Sequence, residues 1–336
     1  MAAAKSPLHG RTAVVTGAAR GLGRAMARDL SGRGAKVALL GREEQTLAEV
    51  RESLPGESWC WEVDVTDDGG MARTAEEIRE RFGLPSVVVA NAGVAEGGPF
   101  AESDPATWRR VIEVNLIGSA VTARTFLPSL LATHGYFLQI ASLAAIGAAP
   151  MMSAYCASKA GVESFAHSLR AEVAHRGVGV GIAYINWTDT DMIRDADQHV
   201  VLRELRGHMP PPARKVYPVA HVAGWLVGAI ERRRPAVYQP AWLQATQLVR
   251  AAIPSVVTML SRRELPRLID KGSFDATGLL GAGGRADSMS GASSATDTRS
   301  SRGTDNARGT GSAGSTGSAK GTDSPRGAGS TGRRPG

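Results

Sequence analysis

Ser142, Tyr155 and Lys159 lie within one stretch, ASLAAIGAAPMMSAYCASK, running from Ala141 to Lys159. Tyr155 and Lys159 are four residues apart, so on a helix their side chains share one face, a turn apart. Ser142 precedes Tyr155 by thirteen residues, at the end of an apolar run, Tyr136 to Ala141, that reads as a strand. A strand end and a helix start can bring a hydroxyl, a phenol and an ammonium to one point. The ammonium is expected to lower the pKa of the phenol, because positive charge favours the phenolate. Such a tyrosine suits proton transfer near neutral pH. The same spacing also fits a solvated Tyr–Lys pair, so its meaning depends on the elements around it.

Those elements alternate. A short apolar strand in RTAVVTGAA is followed by Gly17, Gly21 and Gly23 in TGAARGLG, and then by a helical pattern carrying Leu22, Met26 and Leu30. Strand, glycine turn and helix form a phosphate-binding unit, with glycines admitting the pyrophosphate and the helix N-terminus supplying amides. The second strand is Ala35 to Leu40, followed by Gly41 and Arg42. An acidic residue near this point would hold the ribose 2′-hydroxyl of NAD; here none is present. Arg42, with Arg20 in the glycine loop, could clamp a 2′-phosphate instead. NADP(H) is therefore the expected cofactor and NAD(H) the lesser one. Further strands are read at Trp59–Val65, ending in Asp64-Val65, at Ser86–Ala90, ending in Asn91-Ala92-Gly93, at Val178–Ile185 and at Pro235–Gln239. Helices are read at 43–54, 71–82, 107–131, 154–175 and 219–232. The expected fold is a doubly wound, Rossmann-like parallel sheet with helices on both faces. Asn115 falls in an apolar helical stretch, where a buried amide must find partners. The polar segment Arg194 to Tyr217 reads as an irregular flap over a cleft.

Composition bounds the rest. Residues 1–240 are read as the catalytic domain, 241–275 as an amphipathic helical extension, and 276–336 as a disordered Gly/Ser/Thr/Arg-rich tail, too poor in apolar residues to offset its ordering entropy. The tail holds eight of the 39 basic and four of the 32 acidic residues, so the body keeps only a small positive surplus. That excludes a nucleic-acid-binding footprint. Cys60 and Cys156 are too few for a metal cluster or disulfide framework. The N-terminus has no apolar signal region, and no uncharged apolar run is long enough to span a membrane. A cytoplasmic protein is expected.

Taken in order, TGAARGLG, Asp64-Val65, Asn91-Ala92-Gly93, Asn115, Ser142 and YCASK resemble the short-chain dehydrogenase/reductase family, from about Arg11 to Pro240. The resemblance implies a catalytic set of Asn115, Ser142, Tyr155 and Lys159. Tyr155 would be the general acid or base, and Ser142 the donor to the substrate oxygen. Lys159 would lower the tyrosine pKa and bind the nicotinamide ribose, and Asn115 would anchor a proton-relay water. It places Gly17, Arg20, Gly21, Leu22 and Gly23 on the pyrophosphate. Asp64 and Val65 fall at the adenine, Asn91 and Gly93 along the cofactor cleft, and Thr190 at the nicotinamide. No metal is implied, since the hydride chemistry belongs to the cofactor. The implied activity is interconversion of a carbonyl and a primary or secondary alcohol, and the implied assembly a homodimer or homotetramer. A non-catalytic NADP(H)-binding regulator is the alternative.

One departure stands out. The family's usual Pro-Gly after the sixth strand is replaced by Ile185-Asn186 before Trp187, and Asn186 is expected to keep the turn by tolerating positive φ. In the extension, Trp242, Ala245, Val249, Ile253, Val256 and Leu260 recur at helical spacing, with a kink expected at Pro254. Three roles stay open for it: packing on the body or a partner subunit, peripheral membrane contact through 241–263, or a lid over an apolar substrate.

Overall fold

The computed structural model describes residues 5–269 and 275–288. Seven parallel strands form its centre: β1 (Thr12–Thr16), β2 (Lys36–Gly41), β3 (Ser58–Glu62), β4 (Val87–Ala90), β5 (Tyr136–Ile140), β6 (Gly179–Ile185) and β7 (Ala236–Gln239). Their spatial order is β3-β2-β1-β4-β5-β6-β7. Both faces are buried, which explains the continuous apolar runs. Val14 and Val88 point into one core with Met71, Phe126 and Val162. Their neighbours Ala13, Val15, Val87 and Val89 point into the other, with Met26, Leu47 and Leu226.

The helices in chain order are α1 (Gly21–Gly32), α2 (Glu44–Glu52), α3 (Asp68–Phe82), α4 (Pro105–Ile112), α5 (Gly118–Thr133), α6 (Ser153–Val173), α7 (Asp191–Ala196), α8 (Val200–Gly207), α9 (Pro211–Arg214), α10 (Val219–Glu231), α11 (Leu243–Thr246) and α12 (Ile253–Ile269). Helices α1, α2 and α10 supply the second core; α3, α5 and α6 supply the first. The strand order reverses between β1 and β4, so the crevice outside their carboxyl ends is where a doubly wound sheet takes a ligand. A π-helical turn, Glu113–Ile117, joins α4 to α5. The combined helix is long and apolar enough to cross a bilayer, yet Val111, Val121, Phe126 and Leu130 are buried in the core.

Several local expectations are corrected. The third strand stops at Glu62, because Asp64 turns the chain by accepting bonds from the amide and hydroxyl of Thr66, at 2.9 and 2.8 Å. Segment 194–217 is not irregular: α7, α8 and α9 form there, anchored by buried Ala196, Val201 and Ala213. Pro254 does not kink the extension; it sits in the first turn of α12, where a missing amide hydrogen costs nothing. Asn186 is not among the residues with positive φ. Its side-chain amide instead donates to the carbonyl of Ala213 at 3.0 Å.

The largest correction concerns the tail. Residues 276–288 pack on the domain and belong to the same compact unit. Thr277 and Leu280 donate backbone bonds to Gly97 and Ala95, Leu280 is buried, and 281–288 is helical. Composition misled because glycines here serve close approach: a Cβ on Gly281 would lie 2.9 Å from the Met192 backbone. The remainder of the predicted tail lies outside the described residues.

Strand β6 contains a second close approach. Tyr136 donates its hydroxyl to the Arg234 carbonyl at 2.6 Å, across a space left by Gly181. A Cβ on Gly181 would fall 1.8 Å from that hydroxyl and 2.7 Å from the Arg234 oxygen. Gly181→Ala is therefore expected to cost about 1–3 kcal/mol or more, read as a lowered urea midpoint with the slope unchanged.

Candidate active site

The hydroxyl of Thr16, at the end of β1, joins two loops. It accepts from the amides of Asn91 and Ala92, at 3.0 and 3.1 Å, and donates to the Val89 carbonyl at 3.3 Å. Asn91 returns the link, donating its side-chain amide to the carbonyls of Thr16 and Gly17 at 2.9 and 3.2 Å. The loops after β1 and β4 touch so closely that a Cβ on Gly17 would lie 2.8 Å from Ala92 Cα. Gly17 and Gly21 have positive φ. Gly23 has no room for a side chain, since its Cβ would meet the Gly17 oxygen at 2.1 Å. Sequence reading missed Thr16, although it directly precedes the first loop glycine.

This packing leaves the first turn of α1 open. No side chain caps it and no acidic residue lies in that turn. Bare amides and a positive dipole end facing a cleft are what a pyrophosphate requires, so the residues present fit a dinucleotide. Thr190 adjoins the same loop, its methyl 3.1 Å from where a Gly21 Cβ would be.

At the β2 end the charges are not free. Arg20 forks onto Glu43 at 2.9 and 3.1 Å. Arg42 pairs with Asp287 and lies 3.5 Å from Asp64. Arg110, which sequence reading passed over, bridges Asp64 at 2.5 Å and both oxygens of Asp287 at 2.8 Å. These bonds, led by that from Asp287, raise the pKa of Arg110 further. Burial works against the Asp64 carboxylate, yet bonds from Thr66 and Arg110 keep its pKa below the usual range. Asp287 lay in a stretch read as tail, so nothing in the sequence pointed to it.

Tyr155 and Lys159 project from the first turns of α6 and meet Ser142 from the end of β5. The Ser142 side chain faces the Tyr155 phenol and favours its ionised form, and the Ser142 oxygen accepts from the Ala144 amide at 3.2 Å. Lys159 donates to the Ile140 carbonyl at 3.1 Å, and its ammonium lies 5.6 Å from the Tyr155 ring centroid. The expected lowering of the tyrosine pKa is not found. Burial pushes Tyr155 up to about 12 against the pull of Ser142, and burial brings Lys159 down to about 8. Desolvation outweighs the attraction of an ammonium that does not bond the phenol.

Asn115 stands behind the cleft, buried. The π turn aims its amide at the loop after β4, where it bonds both backbone groups of Val94 at 2.8 and 2.9 Å and donates to Ser158 at 2.9 Å. It does not bond Lys159 directly. Gly93 separates them, 3.2 Å from Asn115 Oδ1 and 3.7 Å from Lys159 Nζ when measured from a built Cβ.

The predicted residues Gly17, Arg20, Gly21, Leu22, Gly23, Arg42, Asp64, Val65, Asn91, Gly93, Ser142, Tyr155, Lys159 and Thr190 all line one cleft of about 640 Å³. Its far end is apolar, walled by Met152, Met192, Leu202 and Met209 together with Ile253, Val256 and Leu260 of the extension. One face of α12 thus borders the cleft, with Val256 and Leu260 still exposed there, as are Leu248, Val249 and Met259. Among the described residues no group of three metal-ligating side chains is gathered.

The family model for short chain dehydrogenase matches residues 11–200. The cis-4-hydroxycyclohexanecarboxylate dehydrogenase of Sinomonas cyclohexanicum is 35% identical over 234 residues, 66% of this chain and 93% of the relative. A short-chain dehydrogenase/reductase from Burkholderia phymatum, solved in complex with NAD, superposes with a TM-score of 0.64 at 28% identity, covering 73% of this chain and 95% of its own. A metagenomic short-chain oxidoreductase in complex with NADP gives 0.51 at 34% identity, covering 53% and 83%. With the glycine loop, the Asn91 link and the Ser142–Tyr155–Lys159 cluster on one fold, the chain belongs to the short-chain dehydrogenase/reductase family, a family of nicotinamide-dependent oxidoreductases.

Proposed function

We propose that this protein interconverts an apolar ketone or aldehyde and the corresponding alcohol, using NADP(H), with Tyr155 as acid and base. The observation that carries the reading is the gathering of half-buried Ser142 and Tyr155 with buried Lys159 at one point of the cleft, beside the open first turn of α1. The bound nicotinamide supplies or accepts the hydride. The remaining work falls to the chain. The Ser142 hydroxyl positions the substrate oxygen against the Tyr155 phenol. At a pKa of about 12 the phenol holds its proton at neutral pH, ready to donate it to the oxygen of a carbonyl under reduction. In the reverse direction Tyr155 acts from its phenolate form, taking the alcohol proton as the hydride leaves. The Lys159 ammonium offsets the charge left on the phenolate, and Asn115 braces the loop beside it. A non-catalytic binder would have no use for a lysine buried at such a cost.

The apolar walls favour a hydrophobic substrate, and the relative from Sinomonas, a dehydrogenase of a ring-bearing hydroxy acid, supports a cyclic secondary alcohol or its ketone. The absence of a carboxylate at Gly41 and the place of Arg42 support NADP(H). Neighbours solved with NAD and with NADP make the preference a matter for measurement.

Three outcomes are expected. Tyr155→Phe loses at least about 10²–10⁴-fold in turnover while keeping cofactor affinity, measured by nicotinamide absorbance with alicyclic ketones and alcohols; near-parental rates would sink the acid–base role. Arg42→Ala erases most of a parental preference for NADP(H), read from dissociation constants for both cofactors; a parent that binds them equally would remove the 2′-phosphate reading. The third concerns pH. Lys159 releases its proton near pH 8 when folded, against its usual 10.5, so between these values the unfolded chain holds more protons. Stability therefore rises with pH through that window, recovering on the order of 3 kcal/mol. The opposite contribution of Tyr155 begins only above about pH 10. In the cofactor-free protein, Lys159→Met should melt higher than the parent at pH 7 and converge with it towards pH 10. A constant gap between the two melting curves would mean that Lys159 is not desolvated.

A further inference from the structure

The segment 275–288 crosses the mouth of the cleft and is fastened at both ends. At one end Thr277 and Leu280 donate to the carbonyls of Gly97 and Ala95 at 2.8 Å, and Leu280 is buried. In the middle the Asp195 carboxylate of α7 accepts from the Gly281 amide at 2.8 Å and from Arg285 at 2.6 Å. At the other end Asp287, 8% exposed, lies between Arg42 and Arg110. The segment thus runs from the loop after β4 to the end of β2.

The last contact matters chemically. Arg42 and Arg110 carry two positive charges; Asp64 returns one negative charge at close range, and the exposed Glu113 lies 3.8 Å from Arg110. Without Asp287, Asp64 alone would face the two guanidiniums at hydrogen-bond range, leaving local positive charge at the place where an adenosine ribose lies in a doubly wound sheet. Asp287 neutralises it with a carboxylate bonded through both oxygens. A carboxylate and a phosphate monoester compete for the same guanidinium fork. A 2′-hydroxyl makes no such demand.

We propose that residues 275–288 form a strap over the cofactor cleft, and that the Asp287 carboxylate occupies the anion seat of Arg42 and Arg110, making it a cofactor-specificity determinant that competes with a ribose 2′-phosphate. The inference rests on the reading of Arg42 as a 2′-phosphate ligand. It follows that NADP(H) binds only as Asp287 withdraws, and that the strap sets how strongly the two cofactors are distinguished.

The test uses the full chain and two probes that differ only in the phosphate: adenosine 2′,5′-bisphosphate and adenosine 5′-monophosphate, titrated calorimetrically. Asp287→Asn keeps the shape and removes the charge. It should tighten the bisphosphate by about tenfold, the low end for one charge-assisted contact, with the monophosphate changed less than about twofold. Leu280→Asp, which unseats the strap at its other end, should shift the bisphosphate in the same direction. If the parent prefers the bisphosphate and Arg42→Ala abolishes that preference, yet Asp287→Asn changes neither probe, the strap does not compete and this inference falls alone. If Asp287→Asn weakens both probes, Asp287 belongs to the cofactor seat and the inference is overturned. If no variant, Arg42→Ala included, separates the two probes, the 2′-phosphate reading falls and takes the inference with it.

Discussion

Everything at the cleft depends on how closely two backbone turns approach at the carboxyl ends of β1 and β4. One hydroxyl, that of Thr16, takes two amides from the opposite loop, and Asn91 binds back to two carbonyls. A buried polar group left unpaired costs about 1–3 kcal/mol, so this reciprocal arrangement holds the two loops together. The contact allows no side chain at Gly17 or Gly23. Its consequence is the bare first turn of α1, with amides unclaimed by the chain itself. The ligand site is thus what remains when the two loops have satisfied each other.

The second constraint is desolvation. Lys159 is buried and Tyr155 half-buried, and desolvation moves each towards its neutral form, the tyrosine pKa up and the lysine pKa down. At neutral pH the pair is a protonated phenol beside an ammonium that gives up its proton far more readily than an exposed lysine. That is an unfavourable arrangement for a folded domain and a useful one for moving a proton. The cost is carried by the two cores, whose strands interlock on both sheet faces.

The fold was almost wholly legible in the sequence, because strands buried on both faces read as unbroken apolar runs and the glycines mark the turns. The cluster of Ser142, Tyr155 and Lys159 was legible for a similar reason: two residues lie on one helix and the third ends the preceding strand. What was not legible is long-range. Arg110 looks like an ordinary helix charge until Asp64 is brought to it. Asn186 was expected to shape a turn by its backbone and instead holds Ala213 by its side chain. The sign of the Tyr155 shift depends on burial, which spacing does not report. Residues 276–288 were misjudged because composition averages over a segment, whereas their attachment depends on three or four well-placed contacts.

Asp287 and Arg42 are 245 residues apart in the chain. A ribosome elongating at about 5–20 residues per second adds the later residue roughly 12–50 seconds after the earlier one. All seven strands precede it, so the sheet and its glycine loop can close around a dinucleotide while the blocking carboxylate is still unmade. If Asp287 competes with a 2′-phosphate as proposed, a newly synthesised molecule meets the cellular nucleotide pool under different terms from a mature one.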